Sequence, residues 1–173
     1  MKKSVKKFQF LLMTIILAFL LLPLTANAQG KANFAGSWAI NASKSNFGTN
    51  QGQGQRMGGG NLVIAQEANL LSVERTRTNQ NGDVTKTTSK YTLDGKESVN
   101  TTGRGNSKSV ATWSADGKSL TIKTSMTFDM NGESRTMNSS EVWTLSDPKT
   151  LSVTTTRTGQ NGETKTTAVY DKK

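Results

Sequence analysis

The feature that most constrains this chain is a series of turn-forming pairs spaced through its last hundred or so residues. Asn81-Gly82, Asp94-Gly95, Asp116-Gly117, Asn131-Gly132 and Asn161-Gly162 recur, joined by Asn69 and by Asp147-Pro148. Asn-Gly and Asp-Gly supply the positive φ that tight two-residue hairpins require. Between these pairs the chain is rich in Thr, Val and Ser, and no apolar period of helical spacing runs through it. Short strands that reverse so often pair each with the next. The most economical way for such a meander to lose its free edges is to close on itself. The sequence therefore predicts an all-β domain, an antiparallel up-and-down meander closing into a barrel of about eight to ten strands.

Upstream, Phe34-Ala35-Gly36-Ser37-Trp38-Ala39-Ile40 reads as a first strand whose greasy face carries Phe34, Trp38 and Ile40, with the small Gly36 between them. Residues 41–61 are crowded with Gly, Gln, Asn and Ser and read as a long flexible loop. Its Gly58-Gly59-Gly60 is not followed by Gly-Lys-Ser/Thr, so it is linker and not a phosphate loop. At the N-terminus, Lys2, Lys3, Lys6 and Lys7 precede an apolar run from Phe10 to Leu22 and a closing Ala26-Asn27-Ala28. That is the order of a secretory signal peptide over residues 1–28, with the barrel domain at 29–173. The run falls short of the roughly 20 apolar residues that span a bilayer, so no membrane span is expected once the signal is cleaved; an uncleaved anchor is the lesser alternative. The expected location is exported, periplasmic or extracellular.

The residue types that are missing narrow the chemistry. The 173 residues include no Cys and no His. This excludes a disulfide framework, a thiolate nucleophile, an imidazole base and the usual zinc or copper ligands. The acids are scattered singly, mostly beside turns. Asp94, Asp129 and Glu133 form no calcium loop and no recognisable carboxylate pair. The expectation is a binding protein and not an enzyme, with no metal and no cofactor. Removing residues 1–28 with their four lysines leaves 18 basic and 12 acidic residues, a formal charge of +6. No basic cluster interleaved with aromatics appears, so nucleic acid is not an expected partner. The oligomeric state is open.

Internal repeats order the barrel from end to end. Leu71-Ser72-Val73 through Arg77 to Asn81-Gly82 matches Leu151-Ser152-Val153 through Arg157 to Asn161-Gly162, and the stretch from Trp113 to Ile122 matches that from Trp143 to Val153. Asp-Gly-Lys turns are flanked by Trp, Leu, Ile and Val, whereas Asn-Gly turns are flanked by Thr, Ser, Arg and Lys. One end of the barrel should be packed and the other wet. Trp38, Trp113 and Trp143 are assigned to the structural core at the packed end, in preference to lining a cavity. Strand alternation places Arg75 and Arg77 on the face of Leu71 and Val73, and Arg157 on the face of Leu151 and Val153. Leu120, Ile122, Met126, Phe128 and Met130 form the longest apolar face.

Gly36-Ser37-Trp38, the long loop after it and the meander that runs to the C-terminus resemble a lipocalin-like (calycin) domain of the small secreted bacterial type. The resemblance implies that Gly-x-Trp marks the closed end, that Trp38 packs under the core, and that a late basic residue, Arg157 or Lys165, covers it. It also implies binding of a small apolar or amphiphilic molecule, anionic ones included, in the barrel mouth. On that basis the candidate ligand-binding residues are Arg75, Arg77 and Arg157 for the head, since a guanidinium offers a two-pronged grip on an anion, and Met126, Phe128 and Met137 for the tail. Two alternatives stay open. The arginines sit on strand ends that protrude into solvent, or the barrel is filled and acts as a structural or interaction module of the cell envelope.

Overall fold

The computed structural model describes residues 30–48, 60–78, 81–102, 105–130, 132–159 and 162–173. The expected signal segment and the Gly-rich stretch 49–59 lie outside the described residues. Ten strands form one sheet: β1 (Gly36–Ile40), β2 (Asn61–Gln66), β3 (Leu70–Thr78), β4 (Val84–Thr92), β5 (Glu97–Thr102), β6 (Gly105–Trp113), β7 (Ser119–Met130), β8 (Glu133–Asp147), β9 (Thr150–Gly159) and β10 (Gly162–Lys172). Every pairing is antiparallel, and β10 returns beside β1, giving the order β4-β3-β2-β1-β10-β9-β8-β7-β6-β5. The expected turn pairs fall at the junctions between these strands, with Asp147 the last residue of β8 and Gly162 the first of β10. The turn from β5 to β6 was not among them, although Gly103 and Gly105 bracket it in the sequence.

The barrel is nearly closed. No backbone ladder joins β4 to β5, and side chains bridge that seam instead. Asn100 accepts from the Lys90 N–H at 2.7 Å and donates to the Lys90 carbonyl at 3.0 Å, while Ser98 Oγ accepts from the Thr92 N–H at 2.9 Å. A carboxamide offers one donor and one acceptor in the spacing of a peptide group, so Asn100 stands in for a missing strand partner.

The core lies at the end marked by the Asp-Gly turns. Leu71, Val73, Leu120, Ile122, Trp143, Leu151, Val153 and Tyr170 are buried there, with Trp38 and Leu62 from β1 and β2. Each of these side chains points inward because its strand alternates, and antiparallel register sets them face to face, Leu120 opposite Trp143 and Trp143 opposite Val153.

The first strand starts later than its pattern suggested. Gly36 has φ +136°, which breaks the extended run and lets Phe34 turn across the barrel's base. There Phe34 is fully buried, its N–H donating to Gln66 Oε1 at 2.9 Å while its carbonyl accepts from Trp38 Nε1 at 2.9 Å. Trp113 stacks on it, ring centroids 5.7 Å apart, and Trp143 meets it edge-on at 5.8 Å. Trp38 and Trp143 are fully buried as core residues; Trp113 is half-buried and packs against the core from its rim. The basic residue over Trp38 is Lys172, whose Nζ lies 5.2 Å from the ring centroid. Neither Arg157 nor Lys165 has that place: register sets Arg157 opposite Thr164, and Lys165 opposite Thr156 on the other face.

The described start of the 41–61 loop is attached to the barrel. Asn46 exchanges backbone hydrogen bonds with Thr167, and the Asn41 N–H donates to the Val169 carbonyl at 2.8 Å. Among the described residues no helix is long and apolar enough to cross a membrane.

Candidate functional site

Above the packed end the inner face changes character. On β3 the buried Leu71 and Val73 are followed on the same face by Arg75, which register sets beside Leu62 of β2 and Thr87 of β4. On β8 the buried Trp143 is preceded on the same face by Glu141, beside Ile122 of β7 and Thr155 of β9. In the strand order β3 and β8 stand on opposite walls, with four strands between them either way round. Arg75 and Glu141 reach across the lumen to each other, Nη2 to Oε2 at 2.9 Å.

This ion pair is a floor beam over the core. Glu141 Oε2 also accepts from Trp143 Nε1 at 2.9 Å, and the Arg75 guanidinium lies 5.7 Å from the Trp143 ring centroid. Burial disfavours the Arg75 charge, but Glu141 and then the neighbouring tyrosines outweigh it, holding the guanidinium above its ordinary pKa. The Tyr170 phenol hydrogen-bonds Arg75, and burial raises the pKa of both Tyr170 and Tyr91. Arg75 Nη2 and Trp143 Nε1 both meet Glu141 Oε2, which gives the half-buried ion pair the hydrogen bonding it needs to be tolerated.

Further toward the open end, Arg77 follows Arg75 on β3, and Arg157 on β9 faces Ser139 of β8 and Thr164 of β10. Arg77 is exposed and Arg157 half-buried. Partial desolvation by the surrounding barrel walls and then the like charges of Arg75 and Arg157 lower the Arg77 pKa, so the three guanidinium groups act on one another. Glu141 acts on Arg77 in the opposite sense, favouring its charge. Met126 and Met137 stand directly opposite each other across β7 and β8, one strand step beyond the Thr124–Ser139 pair, and Phe128 lies one step further, opposite Arg135. All three are half-buried. Register thus brings all six candidate residues to the inner face, in two groups: arginines on β3 and β9, and an apolar group on β7 and β8.

Sequence reasoning missed Glu141, Tyr91 and Tyr170. Treating the acids as turn and solvation residues was wrong for Glu141, which is 22% exposed. Its signal was parity: Glu141-Val142-Trp143 puts the carboxylate on the face of a core Trp. Among the described residues no three His, Cys, Asp or Glu side chains gather to hold a metal ion.

The outer face carries a second concavity. A groove of about 530 Å³ runs over β5 to β10, lined by Lys108, Val110, Lys123, Ser140, Thr156 and Glu163 among others. Its charges are mixed, and Lys108 is paired with Glu97 at 3.1 Å. It lacks the one-sided cationic character of the lumen.

No protein-family model matches the chain, and no curated protein matches its sequence. Among solved structures, the fold is similar to that of zebrafish ileal bile acid-binding protein in complex with cholic acid, with a TM-score of 0.53 and 19% identity, over 81% of this chain and 98% of that one. What this likeness shows is the architecture alone: a ten-stranded, nearly closed antiparallel barrel.

Proposed function

We propose that the protein binds, without catalysis, a small amphiphilic molecule with an anionic head inside the barrel. The observation that carries the reading is that register sets Arg75, Arg77 and Arg157 on the inner face above the core, with Glu141 bound to Arg75. Arg75 is paired with Glu141, and Arg77 and Arg157 add two further guanidinium groups to the same inner face, a setting that favours an anionic head. Met126, Met137 and Phe128 offer the apolar part a wall beside the head. The solved neighbour's complex with cholic acid supports a barrel able to enclose an amphiphile. We further propose that the mature chain works outside the cytoplasm, on the strength of the charged, apolar and small-residue order of residues 1–28.

Calorimetric titration with dodecanoate and with dodecyltrimethylammonium tests the reading. One dodecanoate should bind per barrel, the cationic amphiphile should not, and replacing both Arg77 and Arg157 by Ala should abolish dodecanoate binding. Equal binding of the two probes, or undiminished binding by the double variant, removes the arginines from the site.

A further inference from the structure

We infer that the ligand also carries a hydroxyl within two or three carbons of its anionic head, and that Glu141 receives it. The inference rests on the head-group reading above and adds a second, donor-seeking subsite to it. An ionised carboxylate only accepts hydrogen bonds, and it has two oxygens with which to do so. Arg75 Nη2 and Trp143 Nε1 both meet Oε2, each at 2.9 Å, so neither draws on Oε1. The carboxylate is not sealed by its partners, since the Glu141 side chain keeps 22% of its exposure while projecting inward.

Charge then decides what can lie beside it. An anionic group against Glu141 would meet a like charge in a partly desolvated lumen, where repulsion is stronger than in water. The head is steered to Arg77 and Arg157, and the ligand atoms next to Glu141 must donate. Arg157 faces Ser139, which lies two residues from Glu141 on β8, so the head site and the carboxylate are one strand step apart. That is about 7 Å along the backbone, a separation that side chains of this length reduce to the reach of a few carbons.

The surroundings agree. At this level the inner face of β6 to β10 carries Ser109, Thr124, Ser139, Thr155 and Thr166, with Ser109 buried and bonded to Thr124 at 2.9 Å. A bare methylene chain laid there would desolvate hydroxyls without replacing their water, whereas a hydroxylated one replaces it.

The test compares dodecanoate, 3-hydroxydodecanoate and 3-methoxydodecanoate on the full chain. The hydroxy acid should bind about tenfold more tightly than dodecanoate, the gain expected of one hydrogen bond to a charged group. The methoxy acid, which keeps the oxygen but not the donor, should bind no better than dodecanoate. In Glu141→Gln the amide oxygen is claimed by Trp143 and Arg75 and the lumen meets an NH2, which donates to an ether oxygen as well as to a hydroxyl, so the preference for the hydroxy over the methoxy acid should vanish. Equal affinity for hydroxy and unsubstituted acid overturns the inference while leaving the head-group reading intact. Failure of all three acids to bind overturns both. The methoxy comparison needs no variant, so it decides the matter even if Glu141→Gln does not fold.

Discussion

The two halves of the same strands make an instructive contrast. β3 and β9 each begin as Leu-x-Val at the closed end and continue on the same inward face to arginine at the open end. Leu71, Val73, Leu151 and Val153 are buried; Arg77 is exposed. Alternation is identical in both halves, so facing inward is not what buries a residue. The closed end is dry because Phe34 and two tryptophans fill its taper, whereas the open end is lined by hydroxyls and guanidinium groups around one carboxylate. The difference teaches that this barrel separates a stabilising half from a binding half along each strand, with the Arg75–Glu141 brace at the boundary.

The largest expected effect is on the stabilising half. Leu151→Ala should lower the unfolding free energy by about 2–5 kcal/mol in urea melts, whereas the exposed Thr85→Ala at the open end should stay within about 0.5 kcal/mol. Comparable losses from the two would erase the contrast. The boundary comes next: Glu141→Ala should cost roughly 1–3 kcal/mol, because Arg75 is left half-buried without its acid and Trp143 Nε1 loses its acceptor. Arg77→Ala should be neutral or slightly stabilising in the same melts, since its charge stands near those of Arg75 and Arg157. A marked loss of stability in Arg77→Ala would place that residue in the frame of the barrel and not in its mouth.

Smaller again is Lys172→Ala, about 0.5 kcal/mol by thermal melting, for an exposed ammonium over the Trp38 ring.

The pH dependence sharpens the contrast most finely. Tyr91 and Tyr170 have pKa values raised above 10 by burial, so above pH 10 the native state holds protons that the unfolded chain has released. Stability should therefore be unaffected below pH 10 and fall as the pH rises past it, a fall absent when both are replaced by Phe. At the acid end, the side-chain bond from Lys96 and its backbone N–H lower Asp94 to about 2 from the ordinary 3.8. Its contribution is present above pH 4 and is lost between about pH 4 and 2, which Asp94→Asn should flatten in an acid titration followed by circular dichroism.

Much of this was legible beforehand because turn chemistry and alternation are local. Asp94-Gly95 or Asp116-Gly117 states a hairpin in two residues, and Leu71, Val73, Arg75 and Arg77 share a face whatever they pair with. Phe34 was misread as a strand residue because the break at Gly36 is a backbone choice that glycine permits but does not announce. The late basic partner of Trp38 was sought at Arg157 or Lys165, yet pairing of β1 with β10 sets Lys172 opposite Trp38. Glu141 was passed over because a lone acid following Asn138-Ser139-Ser140 looks solvated until its partner is known.

By itself, the sequence determined an antiparallel meander, its packed and wet ends, and which arginines and methionines face inward, since each follows from turn residues and a two-residue period. Only the tertiary structure decided that Arg75 meets Glu141, that Phe34 closes the base, and that Asn100 bridges the seam between β4 and β5. Arg75 and Glu141 lie 66 positions apart in the chain, Phe34 and its stacking partner Trp113 lie 79 apart, and Lys90 and Asn100 lie 10 apart across an intervening turn. Such pairings depend on how far the sheet curls and where its walls come to face each other, a property of the closed barrel that no single strand encodes.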